Sequence, residues 1–338
     1  MKALDEIGLQ PAVWAGTSIG ALMAAARVGG MSIGEMAQRA SALRRRDLFR
    51  LNRMEMIISR AKTSSIYQEE ALRELCDSVV PHYRFDETRQ RLLVNTVDLE
   101  RGAQVVWGLP GLRDVAINEA VYASCALPGF FPPGRINDRL CVDGGTIDNL
   151  PVSIAGLGMD AIIAVDVGST DLTPHTDIAT QGFAPIYMRA ATVMMHRLQQ
   201  MPLEHWDGPP MMLIRPRVTR FGWFGFGHTS EMIDEGYRAA KETLAYMDEC
   251  FGAATGVYPR RQVRVHVSPD KCIGCGICVA LAPDLMALGP QRKAFAKRDS
   301  VNWGPADGDF VHQCPTNAIA VERIDDKQEI PPAEGEAA

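Results

Sequence analysis

Gly16-Thr17-Ser18-Ile19-Gly20 sets a serine between two glycines, after the apolar run 12–15 and before the Ala-, Leu- and Met-rich stretch 19–26. Strand, sharp turn and helix form the setting of a nucleophile elbow, which exposes the serine hydroxyl at a helix N-terminus. The helix dipole there favours developing negative charge. The N–H of Ile19, immediately after the serine, is the obvious donor to an oxyanion. Gly16 and Gly20 are expected to leave room for the tight turn and the strand–helix crossing. The same five residues also serve an ordinary βα turn with a capping serine, so the motif needs a base beside it. None of the seven histidines, at 82, 175, 196, 205, 228, 266 and 312, sits in an obvious catalytic turn. Asp143 is the better candidate, because a short strand ends at it and Gly144-Gly145 follow. A carboxylate becomes a general base when an apolar site lifts its pKa toward the working pH. Asp-Gly by itself marks an ordinary turn equally well.

A second group of chemistry-bearing residues lies near the C-terminus. Of the eight cysteines, Cys76, Cys125, Cys141 and Cys250 are scattered and read as small buried hydrophobes. Cys272, Cys275 and Cys278 are spaced C-x2-C-x2-C, and Cys314 precedes Pro315. A metal centre explains that spacing better than disulfides do. Three thiolates so close wrap one corner of an iron–sulfur cluster, which is the bacterial ferredoxin pattern. In two-cluster proteins the Cys before Pro serves the other cluster. Here there is one triad, so Cys314 is expected to complete the same [4Fe–4S] site. A structural zinc site usually shows two separated pairs instead. Gly274 and Gly276 are expected to let backbone N–H groups approach the sulfurs.

The elements that must position these residues alternate along the chain. Apolar runs at 12–15, 91–97, 103–108, 161–167 and 210–216 read as strands. Helical periodicity occupies 18–29, 32–45, 67–80, 187–201 and 230–251. Strands alternating with helices predict an α/β fold with a mainly parallel sheet. Residues 252–261 are rich in small and turn residues and read as a linker. A compact unit follows over 262–325, and the acidic tail 326–338 is expected to be disordered.

The whole chain is 338 residues, enough for two domains, with a net charge of −6 that argues against a general nucleic-acid binder. No signal peptide and no spanning run is evident, so a cytoplasmic protein is expected. One segment departs from the acidic balance. Residues 44–62 carry Arg44, Arg45, Arg46, Arg50, Arg53, Arg60 and Lys62 against Asp47 and Glu55, among Leu, Phe, Met and Ile. Such a segment can dock peripherally on anionic lipid at the inner membrane face, or be a solvated helix face. Phe221, Trp223, Phe224 and Phe226, among glycines, read as an interfacial loop or, more simply, as packing against the C-terminal domain.

Three segments in order, GTSIGAL (16–22), ASCALPGFFPP (123–133) and VDGGTIDNLPV (142–152), resemble the patatin-like phospholipases along about residues 1–252. The resemblance implies a three-layer α/β sandwich and a lipid ester hydrolase with a Ser–Asp dyad. Ser18 matches the nucleophile, Asp143 the aspartate of the D-G-G/A motif, and 123–133 a turn on the rim of the site. The family carries a further Gly-rich loop, of the G-G-G-x-x-G kind, upstream of a helix resembling residues 1–11. That loop supplies oxyanion donors, each worth on the order of a hundredfold or more in rate. This sequence begins inside that helix, so either the natural start lies upstream or the domain is catalytically crippled. Residues 262–325 resemble a single-cluster bacterial ferredoxin, a small α+β domain. The fusion implies a lipid acyl hydrolase joined to an electron-transfer domain with a redox partner protein. The alternative is an electron-transfer protein whose patatin-like domain only binds lipid or a partner.

Overall fold

The structure, a computed structural model, describes residues 1–51, 65–167, 177–218, 221 and 225–324. The chain divides into two compact units, one of Met1–Pro202 with Asp207–Gly256, the other of Leu203–Trp206 with the residues from Val257 onward.

The first unit is built on a five-stranded sheet. Its strands are β1 (Val13–Thr17), β2 (Arg91–Asp98), β3 (Ala103–Trp107), β4 (Gly134–Ile136) and β5 (Arg139–Asp143). β2 is the hub. It pairs parallel with β1, from Val13 opposite Arg91 to Thr17 opposite Asn95, and antiparallel with β5, from Asp98 opposite Cys141 to Thr96 opposite Asp143. β3 runs antiparallel along residues 94–98 of β2. A strand has two edges, so β1 and β5 share the other one and meet end to end where Asn95 gives way to Thr96. The same unit holds a further parallel pair, β6 (Ile162–Val165) with β7 (Met211–Ile214).

The sheet is therefore mixed rather than mainly parallel. The connections decide this. β2 and β3 are joined by four residues, 99–102, with Gly102 at φ +62°, and β4 and β5 by two, with Asn137 at φ +52°. A parallel partner needs a crossover of a dozen residues or more.

Helix α1 (Lys2–Glu6) precedes β1, and α2 (Ile19–Val28), α3 (Ile33–Ala42), α4 (Glu69–Val79) and α5 (Ile117–Cys125) lie between these strands in sequence. Ala21, Leu22, Ala24 and Ala25 of α2, Leu72 and Cys76 of α4, and residues of α5 form one apolar core with Leu92, Val94, Val105 and Trp107 of the sheet. Seven of the eight β2 residues are buried, so the strand is covered on both faces. That is what the middle layer of an α/β sandwich requires. Helix α6 (Phe183–Glu204) follows β6, and α7 (Thr229–Leu244) and α8 (Met247–Phe251) follow β7. The single long helix expected over 230–251 is thus two.

The second unit is a small α+β body. β8 (Arg261–Val267) is flanked antiparallel by β11 (Val301–Trp303) and β12 (Ile319–Arg323), while β9 (Met286–Leu288) and β10 (Ala294–Ala296) form a hairpin. Helices α9 (Ile277–Leu281) and α10 (Asp309–His312) are short. Val265, Cys272, Cys278, Met286, Phe310 and Ile319 contribute to its core. Residues 326–338 lie outside the described residues.

Candidate active site

β1 delivers Thr17, and the chain turns sharply into α2 at Ser18, whose backbone stands at φ +54°, ψ −127°. Few residues other than glycine adopt that conformation, which costs on the order of 1–3 kcal/mol. It aims the side chain away from both elements. Gly16 has no room for more than hydrogen, since a Cβ there would lie 2.5 Å from the Ala21 nitrogen at the start of α2. Gly20 is different. A Cβ built there meets nothing within 4 Å, so the crossing does not require this glycine. The Ile19 N–H is the first of α2 and has no helical acceptor, which leaves it available to a ligand anion.

β5 arrives at the same point from the opposite direction and ends at Asp143. Asp143 is 4% exposed, and the Ser18 hydroxyl lies near enough to favour its ionised form. The Gly145 N–H donates to Asp143 Oδ1 at 2.8 Å. Burial pushes the carboxyl up from 3.8 to about 6, against the pull of these two donors. Asp143 is thus a carboxylate at neutral pH that holds a proton only a little below it. Gly144 is needed for close approach, since a Cβ there would lie 2.5 Å from the Asn95 carboxamide, while one on Gly145 would be tight, 3.0 Å from Asp143 Oδ1.

The thiol of Cys125 lies near Ser18. Its hydrogen bond with Cys76, and then burial, raise its pKa well above the ordinary thiol value. It stays protonated and does not compete as a nucleophile.

The segment 123–133 is divided by the structure. Residues 123–125 are the last turn of α5, and the rest forms the turn that leads to β4. Ser124, not singled out in the sequence, is fully buried and accepts the Ser18 N–H at 2.9 Å while donating to the Asn95 carbonyl at 2.7 Å. Phe131 packs on Phe49 with ring centroids 5.8 Å apart, and Phe226 on Phe49 at 6.1 Å. Phe226 therefore joins the aromatic group of the first unit. Trp223 and Phe224 lie outside the described residues, as do Arg53, Glu55, Arg60 and Lys62 of the basic segment. Arg44, Arg45, Arg46 and Arg50 are described, and Arg50 is paired with Glu74 at 3.3 Å.

Residues 1–155 match the family model described as patatin-like phospholipase. The first 155 residues are a patatin-like phospholipase domain. An uncharacterized NTE family protein of Mycobacterium tuberculosis is 31% identical to the chain over 178 residues, covering 52% of this chain and 46% of that protein. Patatin-like phospholipase domain-containing protein 7 of Rattus norvegicus is 26% identical over 270 residues, covering 70% and 19%. Lysophospholipase NTE1 of Phaeosphaeria nodorum is 32% identical over 148 residues, covering 38% and 10%. The chain spans about half the length of the mycobacterial relative and less of the others. In the patatin-like domain, Ser18 and Asp143 are the pair that the sheet brings together.

In the second unit, Cys272, Cys275, Cys278 and Cys314 line one recess with Gly274, Gly276, Ile273 and Ile277. None of the four is in a disulfide. The Ala294 N–H points at Cys272 Sγ at 3.4 Å and the Ala318 N–H at Cys314 Sγ at 3.3 Å. Gly274 and Gly276 take φ +70° and +81°, and a Cβ on Gly274 would run into the Arg292 carbonyl. The donor set and its backbone N–H groups fit an iron–sulfur cluster. Among the described residues no helix is long and apolar enough to cross a membrane.

Proposed function

We propose that the first unit is a serine hydrolase acting on carboxylic esters of lipids. The observation that carries this reading is that the ends of β1 and β5 bring the Ser18 hydroxyl beside a buried Asp143, whose pKa of about 6 suits a base at neutral pH. Asp143 takes the Ser18 proton as Oγ attacks the ester carbonyl carbon. The carbonyl π-electrons move to oxygen, and the Ile19 N–H donates to that oxyanion. The proton held by Asp143 passes to the leaving alkoxide as the C–O bond breaks. Water, deprotonated by Asp143, then attacks the acyl carbon, the bond from that carbon to Ser18 Oγ breaks to release the acid, and Asp143 returns the proton to Oγ. The printed names of the relatives, phospholipase and lysophospholipase, support a phospholipid-derived ester as substrate. The test is hydrolysis of short-chain acyl esters and lysophospholipid by the full chain beside Ser18→Ala. The reading expects turnover in the first and none in the second.

We also propose that Cys272, Cys275, Cys278 and Cys314 hold one [4Fe–4S] cluster, making the second unit a ferredoxin-type domain with a redox partner. Such a cluster supplies one-electron transfer when bound. Among the described residues no three metal-ligating side chains converge as a single ion would need. The four thiols nevertheless line one recess. That arrangement suits a multi-iron core better than zinc bound at about 2.3 Å from each sulfur. Anaerobic reconstitution should give about four iron and four sulfide per chain. Cys272→Ala and Cys314→Ala should each lose iron, and Cys250→Ala should not. Stoichiometric zinc with no iron uptake rejects the proposal.

A second reading keeps the cluster and makes the patatin-like domain a binding module for lipid or a partner. One observation favours it: among the described residues β1 pairs only with β2. Ester turnover by the full chain separates the two.

A further inference from the structure

We propose that Asn95 is a positioning residue, a carboxamide clamp that ties the strand bearing the nucleophile to the loop bearing the base. This inference rests on the hydrolase reading and deepens it. Asn95 lies in β2 opposite Thr17, at the point where β1 and β5 meet. It is 1% exposed, in a strand otherwise rich in Leu and Val. A buried amide in such a place is costly unless its hydrogen bonds are met.

They are met by the two halves of the dyad. Nδ2 donates to Thr17 Oγ1 at 3.2 Å, to the Gly144 carbonyl at 3.3 Å and to the Asp148 carbonyl at 2.7 Å. Thr17 precedes the nucleophile and Gly144 follows the base. Oδ1 accepts from Gln104 Nε2 at 2.9 Å, which fixes which end of the amide faces the loop. The Asn95 carbonyl accepts the Ser124 hydroxyl, and Ser124 in turn accepts the Ser18 N–H. One residue therefore reaches the chain on both sides of the reacting pair. Thr17 closes the network by donating its own hydroxyl to the Asp148 carbonyl at 3.0 Å.

The residue type follows from the partners. The Gly144 and Asp148 carbonyls can only accept, and Thr17 has already spent its proton. A carboxamide meets them with two N–H donors, one of them shared between two of the three acceptors, and with an acceptor on its other end. Aspartate has the shape but faces acceptors with an acceptor. Leucine has the volume and no polar atoms.

The experiment compares Asn95→Leu, Gln104→Leu and Ser124→Ala in the full chain, with Ser18→Ala as the control for the underlying reading. The clamp predicts that Asn95→Leu lowers kcat by about 10–100-fold with KM changed less than about twofold, because it misplaces reacting groups and leaves substrate contacts alone. Gln104→Leu and Ser124→Ala, which cut the network at its ends, should each lower kcat severalfold. They decide the question if Asn95→Leu does not fold. A second readout needs no turnover. The stability gained on Asp143→Asn, followed against pH, reports the Asp143 carboxyl, which faces Ser18, the neutral Cys125 thiol and the Gly145 N–H. In the Gln104→Leu background its midpoint should move down toward the ordinary carboxylate value as the loop slackens. Turnover that survives Ser18→Ala rejects the hydrolase reading. Unchanged kcat and an unchanged midpoint in folded Asn95→Leu or Gln104→Leu overturn the clamp alone.

Discussion

Asp143→Asn should abolish hydrolysis and at the same time make the protein more stable at neutral pH. The variant keeps the shape of the side chain and removes its charge. In the folded chain burial raises the Asp143 pKa from 3.8 to about 6. The folded state therefore binds this proton more tightly than the unfolded state does. The stability it contributes is complete below about pH 4 and is lost as pH rises through 6. Roughly two pH units at 1.36 kcal/mol each amount to about 3 kcal/mol. That is the cost of holding the base ionised in an apolar site, and asparagine does not incur it. At pH 8 the variant should exceed its parent by up to about 3 kcal/mol, on the order of 5–10 °C in Tm for a unit of this size. The two should converge below pH 4. Thermal melts of both proteins at half-unit steps from pH 4 to 8 measure the difference. A variant less stable than its parent at pH 8, or a gap independent of pH, would falsify the assignment of Asp143 as a desolvated base.

The same carboxyl sets the pH–rate profile: kcat/KM of the parent should rise about tenfold per unit below pH 6 and level off above it, and a flat profile from pH 5 to 8 counts against Asp143. Ser18→Gly and Ser18→Ala should both be inactive. Glycine should be the more stable of the two by about 1–2 kcal/mol in chemical denaturation, because only glycine is at ease at φ +54°. Gly16→Ala should lose about 3 kcal/mol or more, since its Cβ enters the backbone of α2. Gly20→Ala, with open space around it, should be neutral or gain up to about 1 kcal/mol. Equal effects at the two glycines would contradict the packing described for the elbow.

Much of this arrangement is legible in the sequence, and the exceptions have physical causes. β1, β2, β3, β6 and β7 announce themselves as short apolar runs, and α2 to α4 as amphipathic ones. Helix α5 carries no such stripe. Seven of its nine residues are buried, so it is enclosed on nearly every side and shows no polar face to set a period. The mainly parallel expectation missed the strand directions because it weighed the alternation of strands and helices and not the short gap between 91–97 and 103–108, which allows only an antiparallel pair. Ser18 and Asp143 can be named from their glycines, whereas Asn95 and Ser124 cannot. Each looks like an ordinary polar residue until the register of β2 is known. The one signal is an asparagine in the middle of RLLVNTV, a polar side chain where a buried strand should be apolar. The four C-terminal cysteines are legible for the opposite reason, since the spacing of the first three is local and needs no fold to be seen.

The end-to-end meeting of β1 and β5 on one edge of β2 makes the peptide step from Asn95 to Thr96 a ruler. It sets the strand register from which the serine and the aspartate stand apart. The lengths of the surface connections between them have no part in that distance. Inserting residues into the connections before β2 or after α5 adds only slowly growing loop-closure entropy and leaves the reacting pair where it was. One residue inserted between Asn95 and Thr96 would part them by roughly 3.4 Å and turn one of them to the wrong face of the sheet. A fold arranged in this way can exchange its surface loops, and with them its choice of substrate, while its chemistry stays in register.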